Sequence, residues 1–168
     1  MTKINYWLLP IGWMGLIFYS SATPYQDQDI KPFMTNKLDL SFLVPFVENV
    51  TLYYHHSEVS VDALGIEGFV EFFVRKGAHV SVYFILMVLF YVACKKTMSV
   101  SSSKRLLLSY IFTSLYAILD ELHQGFTQNR TPYIGDVGLD MSGALAALIL
   151  IILFAAFKKK SIAKNTFS

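Results

Sequence analysis

Cysteine is almost missing from this chain. Cys94 stands alone, so neither an intramolecular disulfide nor a thiolate-based zinc cluster can form. It closes an apolar run, where a single thiol behaves as a small hydrophobe. Charge is scarce as well: 15% of the 168 residues, against about a quarter in an ordinary soluble domain. There is no HExxH zinc motif, no G-x-S-x-G, no phosphate-binding glycine loop and no nucleic-acid motif, and no segment repeats. Those absences remove the signature-bearing metalloproteases, serine hydrolases and NTPases, and a nucleic-acid partner. What remains is greasy: 54% of residues are hydrophobic, and the mean hydropathy is +0.47. The apolar residues come in blocks, the pattern of a membrane protein.

Four blocks stand out: Tyr6 to Tyr19, Gly77 to Cys94, Leu106 to Leu119 and Met141 to Phe157. A helix needs about 20 residues to cross ~30 Å of hydrocarbon. The third block reaches that length only if its helix continues through Asp120 and His123 to Gln124, giving 19 residues or ~28 Å. The fourth gains its length by starting near Asp136, a candidate N-cap, with Asp140 one turn inside. The expected crossings are therefore 4–22, 76–94, 105–124 and 136–157, with an outer loop over 23–75, in one domain spanning 1–168.

Charge sets the orientation. With the amino terminus inside, the inner segments carry Lys3, Lys95, Lys96, Lys104, Arg105, Lys158, Lys159, Lys160 and Lys164, and no acid. All twelve Asp and Glu lie outside, with Lys31, Lys37, Arg75, Lys76 and Arg130. This obeys the positive-inside rule and predicts an all-α integral membrane protein of four transmembrane helices with both termini cytoplasmic. The basic tail suits anionic lipid. A signal peptide competes for the first run, since Lys3 and the small residues Ser20, Ser21 and Ala22 fit one; cleavage would leave three crossings. The first half of the outer loop reads as irregular. Over 62–76, Phe69, Phe72 and Phe73 share one helical face and Glu67 and Glu71 another, which predicts an interfacial amphipathic helix running into the second crossing. Glu71 and Arg75 form an i,i+4 pair.

The unusual polar residues fall at one depth in this topology, at or just inside the outer boundary. Arg75, His79 and Tyr83 form one helical stripe, Asp120, His123 and Gln124 a second, and Asp136, Asp140 and Gly143 a third. Gly143 permits close helix approach. A charge near a helix centre costs ~2.5–3.5 kcal/mol, so three such stripes are expected to face one another. His79 beside Asp120 or Asp136 would make a proton-transfer pair. A metal site from His79, His123, Asp120 and Asp136 is the weaker reading, and none is assigned. Arg75, Lys76 and Arg130 suit phosphate or carboxylate; snorkelling of Arg75 and Lys76, or an Arg130 salt bridge to Asp120 or Asp136, competes. Ser20, Ser21 and Ser142 are candidate nucleophiles or packing residues. His55 and His56, beside Tyr53 and Tyr54, read as an interfacial aromatic patch.

The ordered motifs "SSATP", "RKGAHVSVY", "DELHQGFTQNR" and "GDVGLDMSG", from Tyr19 to Gly143, resemble the VanZ-like family of bacterial membrane proteins. The resemblance implies that Lys76, His79, Tyr83, Asp120, Glu121, Gln124, Arg130 and Asp136 are the family's functional positions. It also implies a multi-pass protein of the bacterial cytoplasmic membrane that affects susceptibility to glycopeptides, notably teicoplanin. Two positions depart from the family pattern: Asp140 replaces the usual asparagine, and Ala147 a frequent glycine. The expectation is a polar pocket at the outer face. His79, Asp120 and Asp136 are its candidate catalytic residues, and Lys76, Tyr83, Glu121, Gln124, Arg130 and Asp140 its candidate binding residues. No cofactor is implied. The expected partners are membrane lipids and an anionic or lipid-linked cell-wall precursor. A non-catalytic accessory role, with the cluster as a structural salt-bridge network, stays open, and so does a small transporter.

Overall fold

A computed structural model of the chain describes residues 3–127 and 130–166. Gln128 and Asn129 of the third motif, and the side chain of Lys164 in the basic tail, lie outside the described residues. Helix dominates: α1 (Asn5–Ala22), α2 (Lys31–Lys37), α3 (Val44–Val47), α4 (Val61–Thr97), α5 (Ser102–Gln124) and α6 (Ile134–Thr166). A two-stranded antiparallel hairpin, β1 (Leu52–Tyr54) and β2 (Ser57–Val59), precedes α4.

Local chemistry explains the helix starts. Ser60 caps α4 by accepting the Ala63 amide at 3.1 Å, and Ser101 caps α5 by accepting the Lys104 amide at 3.4 Å, as N-cap serines do. Inside α4 the backbone breaks at Gly65 (φ 70°, ψ 167°), a conformation open to glycine and costly for other residues. Beyond it one helix runs from the amphipathic stretch into the apolar block without a joint. α6 begins at Ile134, two residues before the expected cap, so Asp136 sits in its first turn. A carboxylate there still favours the helix dipole.

α4 is the central helix and packs on α1, α5 and α6. One core cluster gathers Ile17, Tyr83, Leu86, Phe90, Ala117 and Val137; a second joins Met87, Ala144 and Ala147. At the α4–α6 contact a Cβ on Gly143 would collide with the Val80 carbonyl oxygen, so the two backbones touch as expected. Large apolar side chains face outward: Leu8, Ile11 and Phe18 on α1, Ile111, Leu115 and Leu122 on α5, Ile149, Leu153 and Phe154 on α6. Small and polar ones, Ser109, Thr113 and Asp120 among them, are buried. Among the described residues, two helices, Val61–Thr97 and Ile134–Ser161, are long and apolar enough to cross a membrane.

The segment between α1 and α4 is more ordered than expected. It holds two 3-10 turns, Tyr25–Gln28 and Ser41–Leu43, with α2, α3 and the hairpin. The hairpin escaped the sequence reading because its two-residue turn is His55-His56. Both residues have positive φ, 48° and 64°, as a type I′ turn requires, whereas Asn-Gly is the usual signal.

Candidate functional site

The hairpin, the Tyr25–Gln28 turn, the middle of α4 and the adjoining parts of α1, α5 and α6 border an open cavity of about 400 Å³. Lys76, His79, Tyr83, Asp120, Gln124, Arg130 and Asp136 line it, together with Arg75, Gln28, Ser20, Ser21 and Tyr54. Trp13, Leu16, Ile17 and Val82 supply an apolar wall. Seven of the nine expected site residues thus meet at one cavity. Glu121 and Asp140 do not line it. Glu121 is buried and accepts the Tyr133 amide at 2.6 Å, which holds the approach to α6.

Asp120 is buried on α5. Its Oδ2 accepts from Ser21 Oγ at 2.9 Å, Gln124 Nε2 at 3.1 Å and the Tyr83 hydroxyl at 3.2 Å. Its Oδ1 has no hydrogen-bond partner among the described residues. The α4 and α5 stripes therefore face each other, and with Ser21 of α1 they meet on one carboxylate.

His79 pairs with Asp140, not with Asp120 or Asp136. Nδ1 lies 3.0 Å from Asp140 Oδ1, and the Asp140 side chain is 1% exposed. A carboxylate accepts, so the proton between them belongs on Nδ1, and Nε2 is the ring nitrogen left for the cavity. The position where the family pattern has asparagine therefore serves as the carboxylate that orients His79.

Lys76 turns inward instead of snorkelling. It forms an ion pair with Asp136 and lies 4.2 Å from the centre of the Tyr54 ring. The Tyr54 hydroxyl donates to the same Asp136 oxygen. Burial, and then this carboxylate, push the Tyr54 phenol well above its ordinary range, so it remains a donor. His55 is drawn in too, stacked on Tyr133 with ring centres 4.5 Å apart. The aromatic patch expected of this stretch is real for Tyr54 and His55, and its geometry comes from the turn.

Arg130 makes no salt bridge to Asp120 or Asp136. Its guanidinium donates to Gln124 Oε1 and to Gln28 Oε1, each at 2.8 Å. Burial, and next the neighbouring Arg75, lower its pKa. Arg75 keeps the expected pair with Glu71 at 2.8 Å, yet Glu71 is buried, not solvated on a polar face. His123 leaves the cluster: it stacks on Phe18 with ring centres 4.0 Å apart. The four-ligand metal arrangement therefore does not assemble, and among the described residues no three His, Cys, Asp or Glu side chains are placed to hold an ion.

Sequence reasoning missed Tyr54 and Gln28. Tyr54 belongs to a hairpin whose turn carries no Asn-Gly signal. Gln28 sits in a short polar stretch with no periodicity at all.

The outward apolar surface, the buried polar layer and the two long apolar helices point to a helical membrane protein with a polar cavity at one end. The model of the VanZ/LLP1 family matches residues 6–155, and the chain belongs to that family. No curated protein matches the chain, and no solved structure does.

Proposed function

We propose that this chain is a four-crossing protein of the bacterial cytoplasmic membrane, one domain over residues 1–168 with both termini inside, and that its cavity opens at the outer face. The nine basic residues of the inner segments favour this orientation. The outward apolar faces of α1 and α5, and the buried polar row Ser109, Thr113 and Asp120 of α5, favour counting them as crossings beside α4 and α6, because lipid rewards that distribution and water opposes it. α1 has 18 residues and α5 has 23, or ~27 and ~35 Å of helix.

The cavity binds the anionic head of an amphiphile, such as a lipid headgroup or a lipid-linked wall precursor. One observation carries this reading: Arg75, Lys76, His79 and Arg130 border the same cavity as Trp13, Leu16, Ile17 and Val82, so a charged head and an acyl segment each meet matching chemistry. His79, held by Asp140, is the group placed to exchange a proton with the bound head. By altering an envelope component, the protein changes susceptibility to teicoplanin.

The test is a teicoplanin susceptibility assay on His79→Ala, Asp120→Asn, Arg130→Ala and Asp136→Asn, with membrane abundance measured beside it. Loss of the effect at normal abundance is expected in each. Full effect in all four at normal abundance defeats the reading.

A second reading has its own support. The Lys76–Asp136–Tyr54 contacts tie the hairpin to α4 and α6, as a structural network would. In that case Asp136→Asn lowers abundance and activity together, and envelope-lipid binding per folded molecule stays unchanged.

A further inference from the structure

Arg75 and Arg130 approach from different elements and meet on one neutral atom. Gln28 Oε1 accepts from Arg130 at 2.8 Å and from Arg75 at 3.4 Å, and the Gln28 carbonyl accepts from Arg75 at 3.5 Å. Two guanidiniums at one point repel, and an uncharged amide oxygen offsets little of that repulsion. Of the nearby carboxylates, Glu71 pairs with Arg75 through the Nη2 that also reaches the Gln28 carbonyl, Asp136 holds Lys76, and Asp120 takes neutral donors. Among the described residues no carboxylate lies within ion-pair distance of Arg130, and its buried Nε has no acceptor.

Gln28 itself is lightly held. It belongs to the four-residue turn Tyr25–Gln28, and among the described residues its side chain is tied, apart from the two arginines, to Ser20 alone, through the carbonyl at 2.6 Å and the hydroxyl at 3.5 Å. A turn of four residues can open locally while the helices it joins stay folded.

From this geometry we infer that Gln28 occupies the seat of a phosphate-type oxyanion, formed by the Arg75 and Arg130 guanidiniums, and that the ligand's head displaces it by lifting the Tyr25–Gln28 turn. A tetrahedral oxyanion offers each guanidinium fork the pair of acceptor oxygens that one amide cannot. It also brings Arg130 the negative charge that no carboxylate among the described residues supplies. The inference rests on the reading of the cavity as an anionic-head site and adds the seat, the ligand chemistry and an internal competitor.

The experiment titrates the full chain in phosphatidylcholine nanodiscs with two probes, short-chain phosphatidic acid and inorganic phosphate, by isothermal calorimetry. The proteins are wild type, Gln28→Ala, Gln28→Glu and Gln28→Met, each first shown to melt cooperatively. Removing the competitor in Gln28→Ala and Gln28→Met is expected to tighten phosphatidic acid binding roughly tenfold or more, the size of a lost hydrogen bond to a charged group. Gln28→Glu places a carboxylate in the seat, so it is expected to weaken binding by at least as much and to raise the melting midpoint. Phosphatidic acid binding at least about a hundredfold tighter than phosphate, from the buried acyl groups, identifies a lipid headgroup. Equal affinities identify free phosphate. If wild type binds and all three variants bind equally well, the seat lies elsewhere and the anionic-head reading survives. Should none of the four proteins bind either probe, that reading falls and takes the seat with it.

Discussion

Asp120 shows how one residue can organise three helices. Ser21 and Tyr83, from α1 and α4, and Gln124, a turn further along α5, all donate to a single oxygen. In Asp120→Asn the amide oxygen can still accept, so a stability change of about 1 kcal/mol or less is expected. Asp120→Ala leaves three donors without an acceptor and is expected to cost about 3 kcal/mol or more, read by denaturant titration in detergent. Loss of teicoplanin effect in Asp120→Asn would then report charge alone. At the hairpin, Tyr54→Phe removes the hydrogen bond to Asp136 and is expected to cost about 1.5–3 kcal/mol, the range for bonds to charged groups. The raised Tyr54 pKa adds a sign. The phenol keeps its proton in the fold above its unfolded value near 10, so its contribution is full below about pH 10 and falls as pH rises further. Tyr54→Phe therefore loses least, relative to wild type, at the most alkaline pH.

Between elements, the α4–α6 contact is the tightest, because Gly143 lets the Val80 carbonyl of α4 lie against α6. Gly143→Ala is expected to force the helices apart and cost about 1–3 kcal/mol, as overpacking does, with cavity function reduced because His79 and Asp140 sit on those two helices. Loss of susceptibility effect with an earlier melting transition is the expected pair of results. The hairpin turn carries the opposite opportunity. His56 is exposed and holds φ at 64°, a conformation that costs a side-chain-bearing residue about 1–2 kcal/mol. His56→Gly removes that strain, and after glycine's own entropy cost a gain of about 0.5–1 kcal/mol is expected in thermal melts. Much of this level was legible in the sequence. The boundaries of α1 and the end of α5 fall where apolar blocks and flanking polar residues place them, and the Gly143 approach follows from helical spacing. The hairpin was not legible, since residues 52–59 are too short and too polar to show a period.

For the molecule as a whole, the expected topology is checked by single cysteines in a Cys94→Ala background. A cysteine at position 56 should react in intact cells with a membrane-impermeant thiol reagent. One at position 100, between α4 and α5, should react only after permeabilisation. Reaction of both from the same side overturns the four-crossing arrangement. The site as a whole was legible as a layer but not as a set of bonds. Depth and helical face group His79, Asp120, Gln124 and Asp136, the family resemblance adds Lys76 and Arg130, and the cavity gathers all six. Glu121 and His123 share that depth, yet Glu121 is turned to the α6 approach and His123 to Phe18. Depth along a helix follows from counting residues; rotation about its axis depends on neighbours whose positions a single sequence does not contain.

Composition and periodicity determined what any local segment must do. Long apolar runs must be helical, because backbone groups away from water have to bond internally. Ionisable residues within them turn inward, as Asp120 and Asp140 do, and the proposed orientation rests on which segments carry the lysines and arginines. Which partners those residues take was decided only by tertiary packing. Asp140 rather than Asp120 or Asp136 meets His79, Gln28 rather than a carboxylate meets Arg130, and Tyr54 arrives from a hairpin far along the chain. Pairing energies act over a few ångströms, and those distances exist only after the helices have docked.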